Sequence, residues 1–81
     1  MREWLEAARA RIAAESGVDP GALSVSEGEI EALLDLARAA AHGSGDRTNA
    51  PLVAYLVGVA MGRNPGLDLA ELAREAAAER P

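Results

Sequence analysis

His42 is the only histidine in this 81-residue chain, and any acid–base chemistry would have to begin with it. A general base needs a nucleophile or an orienting carboxylate within hydrogen-bond reach. Asp35 lies almost two helical turns upstream of His42, and Asp46 falls in a polar loop downstream. Ser44 and Thr48 offer hydroxyls, but a hydroxyl becomes a nucleophile only beside an activating base, and the spacing supplies none. With no cysteine there is no thiol nucleophile, no disulfide and no cysteine-based zinc site. One histidine among scattered carboxylates is a poor metal set. His42 is therefore read as a helix-terminal residue bonding local groups, with partner contact as the alternative.

A second constellation surrounds it. Arg38 precedes His42 by one turn, so both project from the same side of a helix. Arg47 and Asn49 follow in the loop. With the amides that open the next helix, these residues make a candidate anion or partner contact. The competing and preferred reading pairs Arg38 with Asp35 or Glu31 and leaves Arg47 solvated. Gly43-Ser44-Gly45 is a weak imitation of a phosphate loop: no strand precedes it, no lysine follows, and Pro51 removes an amide. Glu27/Glu31 and Glu71/Glu75 are read as solvated helix faces. The sequence thus predicts no catalytic residue, no cofactor and no metal.

Length and charge narrow the classes further. Eighty-one residues make one domain with a small core. Aromatic residues are limited to Trp4 and Tyr55. Alanine is abundant; it favours helix but buries little apolar area, so the core must rest on Leu, Ile, Val and Met. A dimer interface is a natural supplement to such a core. The net charge of −5 opposes a general nucleic-acid binder, which needs a basic face, and opposes docking on anionic lipid. The N-terminal stretch is charged and amphipathic with no signal-peptide apolar segment, which makes the cytoplasm the expected location.

Turn signals divide the chain into four helices, about 2–15, 26–42, 51–62 and 68–79, within a single domain spanning 1–81. Trp4, Leu5, Ala8 and Ile12 form an apolar stripe on the first, and Trp4 is read as core. Gly17 is the expected stop. Asp19-Pro20 opens a short helical turn in the connector. Ser26 and Glu29 fit a capping box, in competition with Ser24 and Glu27. Ile30, Leu33, Leu34, Ala37 and Ala41 form the expected buried stripe of the second helix, widened by Leu36 and Ala40, with Gly43 as its cap.

Pro51 suits the first turn of the third helix, with Thr48 or Asn49 as cap. The run Leu52 to Met61 is apolar all round and too short for a bilayer, which takes about 20 residues, so this helix is placed at the centre of a bundle. Gly58 and Gly62 are read as sites of close helix packing within the monomer, with a homodimer contact as the alternative. Trp4 and Tyr55 are the side chains best able to anchor an interface. Asn64-Pro65-Gly66 breaks the chain. Asp68 and Glu71 open the fourth helix, which directs Leu69, Leu72, Ala73 and Ala76 inward and frays from Ala76 to Arg80.

Leu36-Ala37-Arg38, Ala41-His42-Gly43, Arg47, Ala50-Pro51-Leu52, Tyr55-Leu56-Val57-Gly58 and Gly62 together resemble a small actinobacterial all-helical family of unknown function. The start around Trp4 and the connector Gly17-Val18-Asp19-Pro20 are similar to its N-terminal half, so the resemblance spans nearly the whole chain. The alanine, arginine and glycine bias, with no lysine, fits a GC-rich bacterial genome. Family members are free-standing or appended to nucleotidyltransferases resembling molybdopterin-guanine dinucleotide biosynthesis protein A. The resemblance implies an association with molybdenum-cofactor maturation, not catalysis by this domain, because the glycine-rich nucleotide motif belongs to the other domain. Members often carry proline after the loop arginine; here Thr48-Asn49 follows Arg47.

The sequence therefore predicts an all-α, compact four-helix domain with a central apolar third helix. It is expected to act as a non-enzymatic accessory module whose His42–Asn49 loop docks a protein partner such as a molybdenum-cofactor synthesis enzyme. The alternatives are a structural homodimerisation module and a carrier of a small anionic ligand. Neither nucleic acid nor membrane is an expected partner.

Overall fold

A computed structural model describes residues 2–78. It is all-α: α1 (Arg2–Ser16), a 3₁₀ turn (Pro20–Leu23), α2 (Glu27–Ser44), α3 (Asn49–Arg63) and α4 (Leu69–Ala77), with no strand among the described residues. The expected end of the fourth helix at residue 79, and the fraying of Glu79 and Arg80, lie outside the described residues.

Local chemistry sets the helix boundaries. Gly17 takes the left-handed conformation at φ 75° and donates its N–H to the Ala13 carbonyl at 3.0 Å, closing α1. The Asp19 carboxylate accepts from the Gly21 amide at 2.7 Å and opens the 3₁₀ turn, with Pro20 behind it. The Ser26–Glu29 box forms in both directions: the Ser26 hydroxyl accepts from the Glu29 amide at 3.2 Å, and the Glu29 carboxylate accepts from the Ser26 amide at 2.8 Å. The competing Ser24–Glu27 box does not form, since the helix starts at Glu27 with Ser26 as its cap. The Ser24 hydroxyl donates to the Gly21 carbonyl, and Glu27 pairs with Arg2. Asp68 caps α4 by accepting from the Glu71 amide at 2.9 Å.

The end of α2 lies further on than the sequence suggested. Gly43 stays helical; Gly45 takes the left-handed turn at φ 74°, its N–H donating to the Ala41 carbonyl at 3.1 Å. The Ser44 hydroxyl donates back to the Ala40 carbonyl at 2.6 Å within this last turn.

The core is small and centred on α2. Ala32, Leu36, Val57 and Ala73 form one buried cluster, flanked by half-buried Leu33, Met61, Leu69 and Leu72. The alanines Ala32 and Ala73 let α2 and α4 approach closely, and Leu36, at 1% exposure, fills the space between them and α3. α2 packs on both α3 and α4, which also meet each other. The buried stripe is accordingly rotated from the expected one. Leu34, read as core, is 52% exposed, while Ala32, not assigned to the stripe, is buried. On α4, Ala76 is exposed and its neighbour Ala77 packs against the core.

α3 sends Val57 into the core but leaves Leu52, Tyr55 and Leu56 exposed, because only α2 and α4 pack against it. The all-round apolar pattern thus belongs to a helix with one open side. Gly58 and Gly62 are exposed, and nothing lies within 4 Å of where a Cβ would stand on either. The close packing expected there is absent within the described chain.

α1 is set apart from the other helices. Its backbone packs on the 3₁₀ turn and on no other helix. Polar ties hold it: Arg2 to Glu27 at 3.1 Å, and Arg9 to the Pro20 carbonyl at 2.7 Å. Trp4, read as core, is 70% exposed, because no helix covers that side of α1. The domain is accordingly drawn out, with extents of 41 × 28 × 20 Å.

Candidate functional site

The polar corner between α2 and α3 is built by Asp46. Its carboxylate accepts from the Thr48 amide at 2.9 Å and from the Thr48 hydroxyl at 2.7 Å. These two bonds, the hydroxyl first, hold the Asp46 carboxyl below its ordinary range. The Asp46 amide donates to the Ser44 hydroxyl at 3.2 Å. Thr48 and Asn49 were the expected caps of α3; Thr48 precedes the helix in αR conformation without a side-chain capping bond, and Asp46 organises the turn instead. A proline in place of Thr48 could not make the amide bond.

This geometry decides what the corner can bind. The Asn49 amide donates to the Asp46 carbonyl and the Ala50 amide to the Arg47 carbonyl, each at 3.1 Å. Pro51 has no amide hydrogen. The N–H groups that would cradle an anion are therefore taken, and Asp46 adds a negative charge beside them. Arg38 is paired with Asp35 on its own helix. His42 and Arg47 are exposed, and Asn49 is half-buried at the start of α3. With Arg38 paired and these amides engaged, the four residues form no anion cradle.

What the corner does have is an apolar neighbour. A groove of about 640 Å³ runs between the ends of α2, α3 and α4, with Gly43, Ser44 and Asn49 on its polar side and Leu52, Leu56 and Ala76 on its apolar side. Leu52 and Leu56 are 59% and 62% exposed, and Tyr55 at 69% adjoins them. The sequence assigned both leucines to the core. Leu52 and Leu56 at i, i+4, with Tyr55 at i+3, do mark one helix face, but an all-apolar helix does not announce which face is covered.

A second apolar groove, of about 440 Å³, lies between α1 and the connector, lined by Leu5, Ala8, Ile12, Leu23, Val25 and Ile30. The Arg2–Glu27 and Arg9–Glu6 ion pairs stand at its rim. Among the described residues no group of three or more His, Asp or Glu side chains is placed to hold a metal ion, and no helix is long and apolar enough to cross a membrane.

The family model for a domain of unknown function, DUF6457, matches residues 1–80. The chain belongs to this family. The match covers all four helices of the DUF6457 domain, so both grooves lie inside the family's boundaries. No curated protein and no solved structure matches the chain.

The accessible surface of this DUF6457 chain is also out of proportion to its mass. It measures 6045 Å² for 8.4 kDa. A folded monomer of that mass exposes about 4,600 Å², so the excess is about 1,400 Å². Exposed large apolar side chains on α1 and α3 contribute to it.

Proposed function

We propose that this chain is a non-enzymatic accessory domain that docks a protein partner at the α2–α3 corner. Following the family resemblance, we further propose that the partner is an enzyme of molybdenum-cofactor biosynthesis. The observation that carries the docking reading is the exposed face of Leu52, Tyr55 and Leu56, set beside the Gly43–Asn49 loop. An apolar centre with a polar rim is the anatomy of a protein interface. Tyr55 is the anchor, the leucines supply area, and Arg38, His42 and Arg47 supply the rim. The engaged amides and the Asp46 carboxylate favour this reading over an anion carrier.

The test is affinity capture with tagged protein from lysate of its own source, read by mass spectrometry. Wild-type protein should enrich a molybdopterin nucleotidyltransferase, and Tyr55→Glu/Leu56→Glu should lose it while keeping its helical circular dichroism. Arg38→Ala/Arg47→Ala should weaken capture less, as rim charges do. Equal recovery of that enzyme by the Tyr55/Leu56 variant removes the α3 face from the account. Failure of wild-type protein to enrich any molybdenum-cofactor enzyme removes the cofactor link.

A further inference from the structure

We infer that α1 is a flap that pivots at Gly17 and is latched by the Arg2–Glu27 ion pair, so that ionic strength opens and closes the groove between α1 and the connector. The inference is independent of the partner proposed for the α2–α3 corner.

The course of the chain makes the flap. After Gly17 the connector returns along α1: Arg9 meets the Pro20 carbonyl at 2.7 Å, and Arg2, at the start of α1, meets Glu27, the first residue of α2. One end of α1 is thus held by a covalent turn and the other by an ion pair. Between them no other helix lies against its backbone. Ala13, its one buried residue, stands near the turn end, and Trp4, near the latch end, is 70% exposed. The hold on α1 weakens from Gly17 toward Arg2.

The pivot has room to turn. Gly17 takes φ 75°, and nothing lies within 4 Å of where a Cβ would stand. Glycine moves among backbone conformations there without the clash that a side chain would bring.

The latch differs in reach from two other ion pairs. Arg9–Glu6 and Arg38–Asp35 each lie within one helix. Arg2–Glu27 joins two helices across 25 residues of sequence, and it is a fork: Arg2 Nε and Nη2 donate to the two Glu27 carboxylate oxygens at 3.2 and 3.1 Å. A fork fixes direction as well as distance. Both side chains are exposed, so dissolved salt screens the pair. Leu5, Ala8 and Ile12 on the flap face Leu23, Val25 and Ile30 across the groove of about 440 Å³. Swinging the Arg2 end outward separates these two walls. The open flap is a solitary helix of 15 residues, which is marginal in water, so it unravels and becomes open to proteolysis.

The experiment uses purified chain alone, so its failure leaves the cofactor-enzyme reading untouched. The chain has eight arginines and no lysine, so trypsin cuts at known places. Initial rates of cleavage after Arg9 and Arg11, read by mass spectrometry, are taken relative to cleavage after Arg47 in the exposed α2–α3 loop, which cancels effects on the protease. When reclosing outpaces cleavage, that ratio tracks the open population. Raising salt from 0.05 to about 1 M should increase it about two- to fivefold, the range for one well-formed exposed pair. Glu27→Gln at low salt should do the same, and Arg2→Gln should add nothing to Glu27→Gln. Cuts after Arg9 and Arg11 should rise together, because the flap opens as one body. A ratio that salt or Glu27→Gln leaves unchanged overturns the proposal. So do additive effects of the two substitutions, or a rise that spares Arg11, which reports fraying of the first turns alone. If a variant fails to fold, the salt series on wild type decides by itself.

Discussion

Leu36→Ala tests where the core lies. Leu36 is 1% exposed and sits where α2 meets both α3 and α4, in contact with the cluster of Ala32, Val57 and Ala73. Truncation removes most of its buried side chain and leaves a cavity, because helices already spaced by alanines have little room to close further. Such substitutions cost about 2–5 kcal/mol. A domain of this length has a total stability of about 4–12 kcal/mol, so this single change removes a large share of it. Leu34→Ala, two positions away on the same helix and 52% exposed, should cost within about 0.5 kcal/mol. Urea titration followed by circular dichroism, at one fixed protein concentration because association shifts the midpoint, separates the two. With a slope of about 1 kcal/mol per molar, Leu36→Ala should lower the midpoint by about 2 M or more. Equal midpoints for the two variants, or a larger loss for Leu34→Ala, would refute the placement of α2.

The other expectations concern the helix ends and pH. Gly45→Ala forces a Cβ into a left-handed turn and should cost about 1–2 kcal/mol, whereas Gly43→Ala, in helix, should be neutral or stabilising by up to about 1 kcal/mol; thermal melts that rank them the other way would return the helix end to Gly43. Arg2 lowers the Glu27 carboxyl by hydrogen bond and charge, and Thr48 lowers that of Asp46. Carboxyls depressed in the fold stabilise it above their ordinary values of 4.5 and 3.8, and that contribution is lost as pH falls through the folded values. Glu27→Gln/Asp46→Asn should therefore flatten the decline of the thermal midpoint below about pH 4.5, an effect that weakens in high salt because both groups are exposed; an unchanged slope would count against both contacts.

The features legible in the sequence were those governed by neighbours along the chain. The Ser26–Glu29 box, the Gly17 turn, Asp19-Pro20 and the Asp68 cap each depend on a few adjacent residues, and each formed. The all-α class followed from the same signals. What the sequence did not reveal was the rotation of each helix about its own axis. In α2 leucines stand at 33, 34 and 36 with alanines on every side, so the apolar stripe can be drawn around more than one centre. The structure settles it through Ala32 and Ala73, whose value lies in being small at a crossing, a property that a hydrophobicity pattern ranks below leucine. α3 misled for a related reason: an apolar face covered by its own fold and one left open for another molecule have the same composition. The candidate site was half legible. The sequence marked the loop as polar, and the leucines beside it were taken for core. Asp46 was noticed as a carboxylate near His42, but its part in shaping the turn depends on Thr48 lying two residues on.

The separation of α1 from the α2–α4 unit also divides the molecule in time. Amide hydrogens of α2, α3 and α4 belong to one mutually packed unit, and the slowest of them exchange only when that unit opens as a whole. Those of α1 have only the connector against their backbone, with the Arg2–Glu27 pair as a tie to α2, and should exchange through a local opening that leaves the remainder folded. The chain thus has two levels of protection, and α1 sits on the lower. That lower level is the adjustable one: whatever covers the Trp4 face slows exchange in α1 directly, while α2–α4 set the floor on which it rests.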